Sequence, residues 1–520
     1  MSDTRSKSST TEDEKAHGAL VTSRDADVGA ELTAGKDIHL DPEEALRLRR
    51  KLDWHLLPLM CIMYLITFAD KVTLGQSAVL GIIQSNHLSA NQFNWLGTIF
   101  YLSYLIFVYP QNLALQRWPV GKWMSVNILI WSIALLCHAA CKDFGGLFAV
   151  RFILGLCEAA VTPGFMIVTS MFYTRNEQVQ RTGYWFLMNG VAVIFLGLLA
   201  FGCTHIHTPG FAPWQWLVTI TGILTFITSI VFWFFFPDSP TSAWFLTPEE
   251  RIKVVIRIRD NQAGVENKVF KKEQAIEALT DPKTWLFAFF AACSNIWNSL
   301  INQRQIILRL FGFPLLQTTL LGCMDGVVEI IAIFLGVTIA ARWKDGKAWT
   351  AILNYVPSII GTILVATLPG TNKVGLLFSY WISIWGIVPF VIFLSWVGMS
   401  TSGHTKRITV NAVVLIAYSA GNAAGPFIWQ AKYKPRNRVP FAIITACSAV
   451  SAFTLFVTRQ YLAYQNKKRD EEAAARTNKD GKYDDVYITV MEDGKAVEKK
   501  VDRAFQDLTD LQNREFRYVL

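Results

Sequence analysis

Four ionisable residues lie inside otherwise apolar runs. The run Phe68-Ala69-Asp70-Lys71-Val72-Thr73 carries an acid beside a base, and Arg151-Phe152-Ile153-Leu154-Gly155-Leu156-Cys157-Glu158 carries a second pair. A charge at the centre of a bilayer costs about 2.5–3.5 kcal/mol by insertion scales, so each is a functional candidate by default. Neighbouring residues point about 100° apart on a helix, so Asp70 and Lys71 must each find a partner on another helix. Arg151 and Glu158 can supply those partners. Seven residues is nearly two turns, which puts them on one face about 10 Å apart. Burial and a nearby cation pull a carboxylate's proton affinity in opposite directions, which can bring its titration within reach of ambient pH. Asp70 and Glu158 are therefore candidates to exchange protons. A static charge network that ties helices together is the alternative reading of the same four residues.

Further polar residues recur at helical spacing. Asn295, Asn298 and Asn302 form one stripe with Arg304 just beyond, and Asn411, Tyr418 and Asn422 form another. Such stripes serve as interhelical glue or as a solute path, and two in one half of the chain favour the path. Asp325 and Glu329 lie four apart on one face, Glu329 deeper and a candidate to line a cavity, Asp325 nearer the outer water. The run Gly421-Asn422-Ala423-Ala424-Gly425-Pro426 should break its helix and free backbone groups toward a cavity. His138 with Cys137 and Cys141, and His205 with His207, are the nearest approaches to metal-ligand spacing, and neither completes a set. No metal or cofactor is expected. Neither GxxxxGK[ST] nor GxGxxG occurs. With no ATP-hydrolysing loop, uphill work has to draw on an ion gradient.

The elements that must position these residues are membrane helices. The chain of 520 residues is 52% hydrophobic and 17% charged, with 35 Phe and 18 Trp. Its charges collect in 1–53, 237–283 and 459–520. A bilayer core needs about 20 mainly apolar residues per helix. Such runs fall at 55–80, 93–113, 121–140, 146–171, 183–203 and 215–236, and again at 284–304, 317–340, 348–368, 374–396, 408–429 and 440–461. The fold class is an all-α membrane protein with twelve transmembrane helices in two six-helix halves. The expected organisation is a disordered cytoplasmic tail over 1–53, a first half over 54–236, a cytoplasmic central loop over 237–283, a second half over 284–461 and a cytoplasmic tail over 462–520. Within the loop, Thr247-Pro248-Glu249-Glu250 has the parts of a capping box. The helix it starts should lie on the inner membrane surface or serve as a solvated connector.

Lys and Arg in short loops orient the bundle. With the N-terminus inside, Arg117, Lys122, Arg175, Arg181, Arg342, Lys344, Lys347, Lys406 and Arg407 face the cytoplasm, while 81–92, 204–213 and 312–316 carry none. The loop 430–439, with Lys432, Lys434, Arg436 and Arg438, breaks the rule. The net charge of +9 lies in these loops beside anionic lipid, which argues against nucleic acid as a partner. The eight cysteines lie in or beside apolar segments and read as buried thiols.

The ordered set of Phe68-Ala69-Asp70-Lys71, Arg151 through Glu158-Ala159, Pro237-Asp238-Ser239-Pro240, Gly326-Val327-Val328-Glu329 and Asn411 through Pro426 resembles the anion:cation symporter branch of the major facilitator superfamily, especially the fungal allantoate permease family. The likeness covers about 50–462. It implies two halves that rock around a midplane site. It implies Asp70 and Glu158 as proton acceptors, Arg151 as the anion-binding cation and Asn422 as a hydrogen-bonding partner of the solute. Related galactonate carriers have arginine where Lys71 stands, so the carboxylate geometry here is looser. The superfamily's aspartate before the loop arginine is Gln116, which removes a charge contact from the inner gate.

The expectation is a monomeric, proton-coupled carrier of a small organic anion in the plasma membrane, both termini cytoplasmic. Asp70 and Glu158 would couple protons, and Lys71, Arg151, Asn295, Asn298, Glu329, Tyr418 and Asn422 would bind the solute. An exporter on the same fold, and a sensor that binds without transport, are the rival readings. An enzyme is not expected, since no nucleophile–base or metal constellation appears.

Overall fold

The computed structural model describes residues 19–21, 40–206, 208–258, 269–313, 315–434, 436–476, 486–492, 495–501 and 507–520. Most of the stretch read as a disordered tail lies outside these residues, and so do the side chains of Asn302 and Arg304.

Apolar runs of this length satisfy their backbone only by coiling into helices that cross the bilayer. Twelve spans result. Spans 1–3 are Pro42–Val79, Ala90–Arg117 and Val120–Ala140. Span 4 joins Phe144–Glu158 to Val161–Phe172, span 5 joins Arg175–Phe186 to Met188–Thr204, and span 6 is Pro213–Phe235. Span 7 joins Pro282–Ile296 to Ser299–Leu310, and spans 8 and 9 are Leu315–Arg342 and Lys347–Thr367. Span 10 passes from Lys373–Ser383 through a 3₁₀ turn at Ile384–Ile387 into Val388–Met399. Span 11 is His404–Ala424 and span 12 is Arg438–Arg476. Eleven of these are long and apolar enough to cross a membrane by composition. That count is of the described residues, and span 7 is the twelfth, with several side chains of its second piece lying outside them. The outermost helices overrun the expected domain limits, span 1 starting at Pro42 and span 12 ending at Arg476.

Spans 4, 5, 7 and 10 all break near their middles. A break releases helix-end carbonyls and amides, which membrane proteins tolerate only beside protein or a water-filled cavity. The two halves meet along two seams, span 2 on span 11 and span 5 on span 8. At the second seam Gly190 and Gly326 face each other so closely that a Cβ on either would strike the other's carbonyl oxygen. Any larger residue there would push the halves apart.

The central helix Pro248–Arg257 forms as its capping box requires: Glu250 N–H donates to Thr247 Oγ1 at 3.3 Å, and Thr247 N–H donates to Glu250 Oε2 at 2.9 Å. It buries Val254 and Val255. Its charged face pairs with the cytoplasmic end of span 1 through Lys51 with Glu250 (2.7 Å) and Lys253 with Glu44, and with span 5 through Arg257 with Glu177. It is thus a brace for the first half rather than a free connector. Arg181 and Asp53 add a bidentate pair at 2.6 and 3.1 Å beside it. Beyond the all-α membrane domain, the tails contribute a small sheet. Strand β1 (Ala19–Val21) runs parallel to β2 (Val486–Glu492), which pairs antiparallel with β3 (Lys495–Val501). All eight cysteines are free thiols, but only Cys157 and Cys203 are buried and Cys137 is exposed.

Candidate functional site

Asp70 and Lys71 leave span 1 in different directions, as their adjacency on a helix requires. Asp70 turns away from the bundle axis toward span 6, where the Thr225 hydroxyl donates to its Oδ2 at 3.1 Å. Its Oδ1 is buried with no hydrogen-bond partner among the described residues. Lys71 turns inward and its ammonium pairs with the carboxylate of Glu158. Glu158 is the last residue of the first piece of span 4, so the helix break sits directly beside this pair.

Arg151 lies on the same helical piece as Glu158. Asp70, Arg151 and Glu158 are each only 2% exposed. The Arg151 guanidinium interacts electrostatically with both carboxylates, yet its Nε and Nη2 have no hydrogen-bond partner among the described residues. An arginine with spare donors in a dry interior is primed to accept a bidentate anion. His138 of span 3 is also buried near this cation, its ring tilted 6.4 Å from that of Trp214, with neither ring nitrogen hydrogen-bonded among the described residues.

Between the halves lies a cavity of about 790 Å³, a volume that includes space continuous with solvent. Lys71 lines it from the first half with Tyr64, Phe68 and Tyr101, and Asn189 and Thr162 add polar groups. The second half contributes Asn295, Trp297, Asn298, Phe390 and Tyr418. Glu158 reaches this space through its pair with Lys71, whereas Asp70 and Arg151 stand one layer behind it. All four broken spans contribute residues adjoining their breaks to the wall: Thr162 in span 4, Phe186 and Asn189 in span 5, Trp297 and Asn298 in span 7, Gly386 and Ile387 in span 10.

The asparagines of the second half form a chain. The Asn298 amide donates to Asn295 Oδ1 at 3.0 Å and to Asn422 Oδ1 at 3.1 Å. Asn422 in turn donates to the Tyr418 carbonyl at 2.9 Å, so it orients Asn298 from behind the wall. The Tyr418 ring stacks on Phe390 at 5.5 Å. Glu329 is buried in span 8 but is not among the residues that line the cavity. Asp325 is not solvated, as its position toward the outer end allowed; it is 4% exposed and accepts the Trp381 indole N–H at 2.9 Å.

Several site residues escaped the sequence reading. Thr225 belongs to a hydroxyl stripe in span 6 with Thr221 and Ser229, but such hydroxyls commonly bond their own helix and carry little signal. Asn189 is a stronger omission, since a lone amide within an apolar span is itself conspicuous.

The cavity is sealed on the side of the tails. Arg407 donates to Ser170 Oγ at 3.0 Å, and Gln116 donates to Thr405 Oγ1 at 3.1 Å, both across the interface between halves. Gln116 thus supplies a neutral contact at the gate. On the same side Val337 of span 8 packs against Gly183 of span 5.

The sequence profile of the Major Facilitator Superfamily matches residues 60–426. The chain is 35% identical to the thiamine pathway transporter of Saccharomyces cerevisiae over 479 residues, covering 90% of this chain and 86% of that one. It is 34% identical to the allantoate permease of the same yeast, covering 93% and 88%. It is 31% identical to that yeast's high affinity cysteine transporter, covering 96% of each. Among solved structures the fold resembles that of the proton:xylose symporter XylE, with a TM-score of 0.63 at 10% identity over 78% of this chain and 95% of that one. This chain is a multi-pass membrane transporter, not an enzyme, and it belongs to the major facilitator superfamily, in the fungal allantoate permease family.

Proposed function

We propose that this transporter moves a small organic anion by proton-coupled symport. The observation that carries the reading is the Lys71–Glu158 ion pair at the cavity wall, with the under-bonded Arg151 behind it. A solute carboxylate entering the cavity meets Lys71 first and competes with Glu158 for its ammonium. Two carboxylates on one cation in a desolvated site repel each other, and the cheapest relief is for Glu158 to take up a proton. Anion binding and proton uptake are thereby linked. Asp70 serves as a second proton site, held by Thr225 and balanced by Arg151.

With the carboxylate neutralised, the halves rock about the seams of spans 2 with 11 and 5 with 8, and the cavity opens to the cytoplasm. The amides of Asn295 and Asn298 fix the polar body of the solute while the aromatic wall covers its apolar faces. Among the relatives, the allantoate permease and the cysteine transporter are named for solutes that both bear a carboxylate. The plasma membrane is the proposed site of action, with the chain acting as a monomer.

The test is uptake of labelled allantoate and a panel of other monocarboxylates in a host stripped of its own carriers, measured from about pH 5 to 8. Symport predicts uptake that falls as external pH rises and collapses with the proton gradient. Uptake indifferent to the gradient in the wild type, or an unaltered proton dependence in both Glu158→Gln and Asp70→Asn, overturns the coupling.

A further inference from the structure

The segment 507–520 folds back under the second half and is bound there at almost every turn. Asp510 is fully buried and accepts from Lys283 Nζ at 2.6 Å, Lys406 Nζ at 3.0 Å and the Tyr518 hydroxyl at 2.6 Å. Arg469 of span 12 donates to the carbonyls of Asp510 and Phe516 at 2.7 and 2.6 Å. Asn466 and Tyr518 exchange two hydrogen bonds, both 2.8 Å. The Trp396 indole holds the Val519 carbonyl at 2.7 Å. Spans 7, 10, 11 and 12 are therefore stapled together by this one segment.

Its reach into the first half is at Arg175, the first residue of span 5. Arg175 Nη1 donates to the Arg517 carbonyl at 3.1 Å, and the guanidinium sits 4.2 Å from the centre of the buried Phe516 ring. This junction adjoins the gate, where Arg407 meets Ser170 and Val337 meets Gly183. The two attachments differ in kind. On the second half the segment is held by buried ion pairs, which are hard to break; on the first half it is held at Arg175 by a hydrogen bond and a cation–π contact, which are easier to remake.

We infer that residues 507–520 are a strap, fixed to the second half, that biases the transporter toward the cytoplasm-closed state by grasping Arg175. The Arg175 contact exists only while the halves are together on that side. An interaction present in one state and absent in the other shifts the equilibrium by its own free energy and by nothing else. The strap therefore sets how often the gate opens without touching the solute, and the inference holds whatever ion or solute the cavity takes.

The experiment needs no solute. Val337→Cys places a thiol in the sealed gate, and a membrane-impermeant maleimide is applied to the cytoplasmic face of inside-out vesicles. Modification is read peptide by peptide by mass spectrometry, so the native cysteines remain. Arg175→Gln and Phe516→Leu should each speed labelling of Val337→Cys at least about five-fold, the lower end of ordinary allosteric coupling. Combining them should add little, because both cut one contact. Buried Cys203, at the other end of span 5, should label no faster. Unchanged labelling in both single variants overturns the strap. Equal acceleration at Cys203 also overturns it, since that reports general loosening. Arg175→Lys, which keeps the charge and loses the planar fork, replaces Arg175→Gln if the latter does not accumulate.

Discussion

The two halves face one cavity with different chemistry. The first half backs its wall with charge: the Lys71–Glu158 pair in front, Asp70 and Arg151 behind, all within spans 1 and 4. The second half backs its wall with amides, Asn298 holding Asn295 and Asn422 in a chain that carries no net charge. A buried charge changes its energy by several kcal/mol when a proton or counter-ion arrives, whereas an amide pair changes by about one. Under the proposed symport, the division would give energy coupling to the first half and solute orientation to the second. Rigid halves with separate duties also explain why the charged groups need not cross the interface.

The most severe break of this contrast is Arg151→Gln. It leaves Asp70 and Glu158 buried with less positive charge, and removing one member of a buried charge set costs about 3–5 kcal/mol. Uptake should fall more than about 100-fold at equal surface expression, measured as initial rate. A loss as large in Asn298→Ala would abolish the distinction between the halves. The expected effect there is a rise in KM of about ten-fold or less, the worth of one hydrogen bond, with the pH profile unmoved.

A second sharpening uses pH. Glu158→Gln cannot take up a proton at that position, so its uptake should decline less steeply than the wild type from about pH 5 to 8, with only Asp70 left to carry the dependence. The gate strap offers the opposite behaviour within the same molecule. Burial works to raise the pKa of Asp510, but the Lys283 and Lys406 ammonium groups and the hydrogen bonds around it outweigh that and hold it well below the usual carboxylate range. A carboxylate depressed in the folded state contributes stability above its unfolded pKa and loses it only as pH falls through the folded value. Docking of 507–520, followed by protease protection of that segment, should therefore be constant over the range in which uptake changes. Asp510→Asn should lower Tm at neutral pH, because Lys283 and Lys406 stay buried with less counter-charge, and the loss should shrink toward strongly acid pH.

The twelve spans and the placement of Lys71 and Glu158 on partner helices follow from sequence because apolar run length and helical angle are local properties. Asn295, Asn298 and Tyr418 were legible for the same reason: their spacing repeats with the helix, and the cavity cuts across that face. Glu329 shows where this reasoning stops. Burial could be read from its depth in span 8, but which neighbour it faces depends on how span 8 rotates against span 5 at Gly190 and Gly326. The folding back of 507–520 was not legible at all. Its anchors, Lys283, Lys406 and Arg469, lie more than 40 residues upstream, and nothing in a polar tail announces a buried aspartate. The pairing of β2 with β3 does have a local signal, the Asp493-Gly494 turn dipeptide between two strand-length runs.

The mildest test concerns how the charged half reads its own protonation state. Thr225 has one hydroxyl proton and two acceptors within reach, Asp70 Oδ2 at 3.1 Å and the Thr221 carbonyl at 2.8 Å. When Asp70 is ionised the Thr225 hydroxyl donates to the carboxylate, since a charge-assisted bond is about twice as strong as a neutral one. When Asp70 is protonated the carboxyl can donate to Thr225 Oγ1 instead, and the hydroxyl returns to Thr221. Thr225→Val removes this exchange and leaves the ionised form of Asp70 without its donor, while Arg151, Glu158 and Lys71 remain around it. Uptake should fall by only about five-fold and should extend to higher pH, because the ionised form has lost about 1 kcal/mol of support. Thr225→Ser keeps the hydroxyl and should restore both rate and profile. A Thr225→Val profile that matches the wild type would show that the hydroxyl serves packing alone, and the charged half would then couple protons through Glu158 without help from span 6.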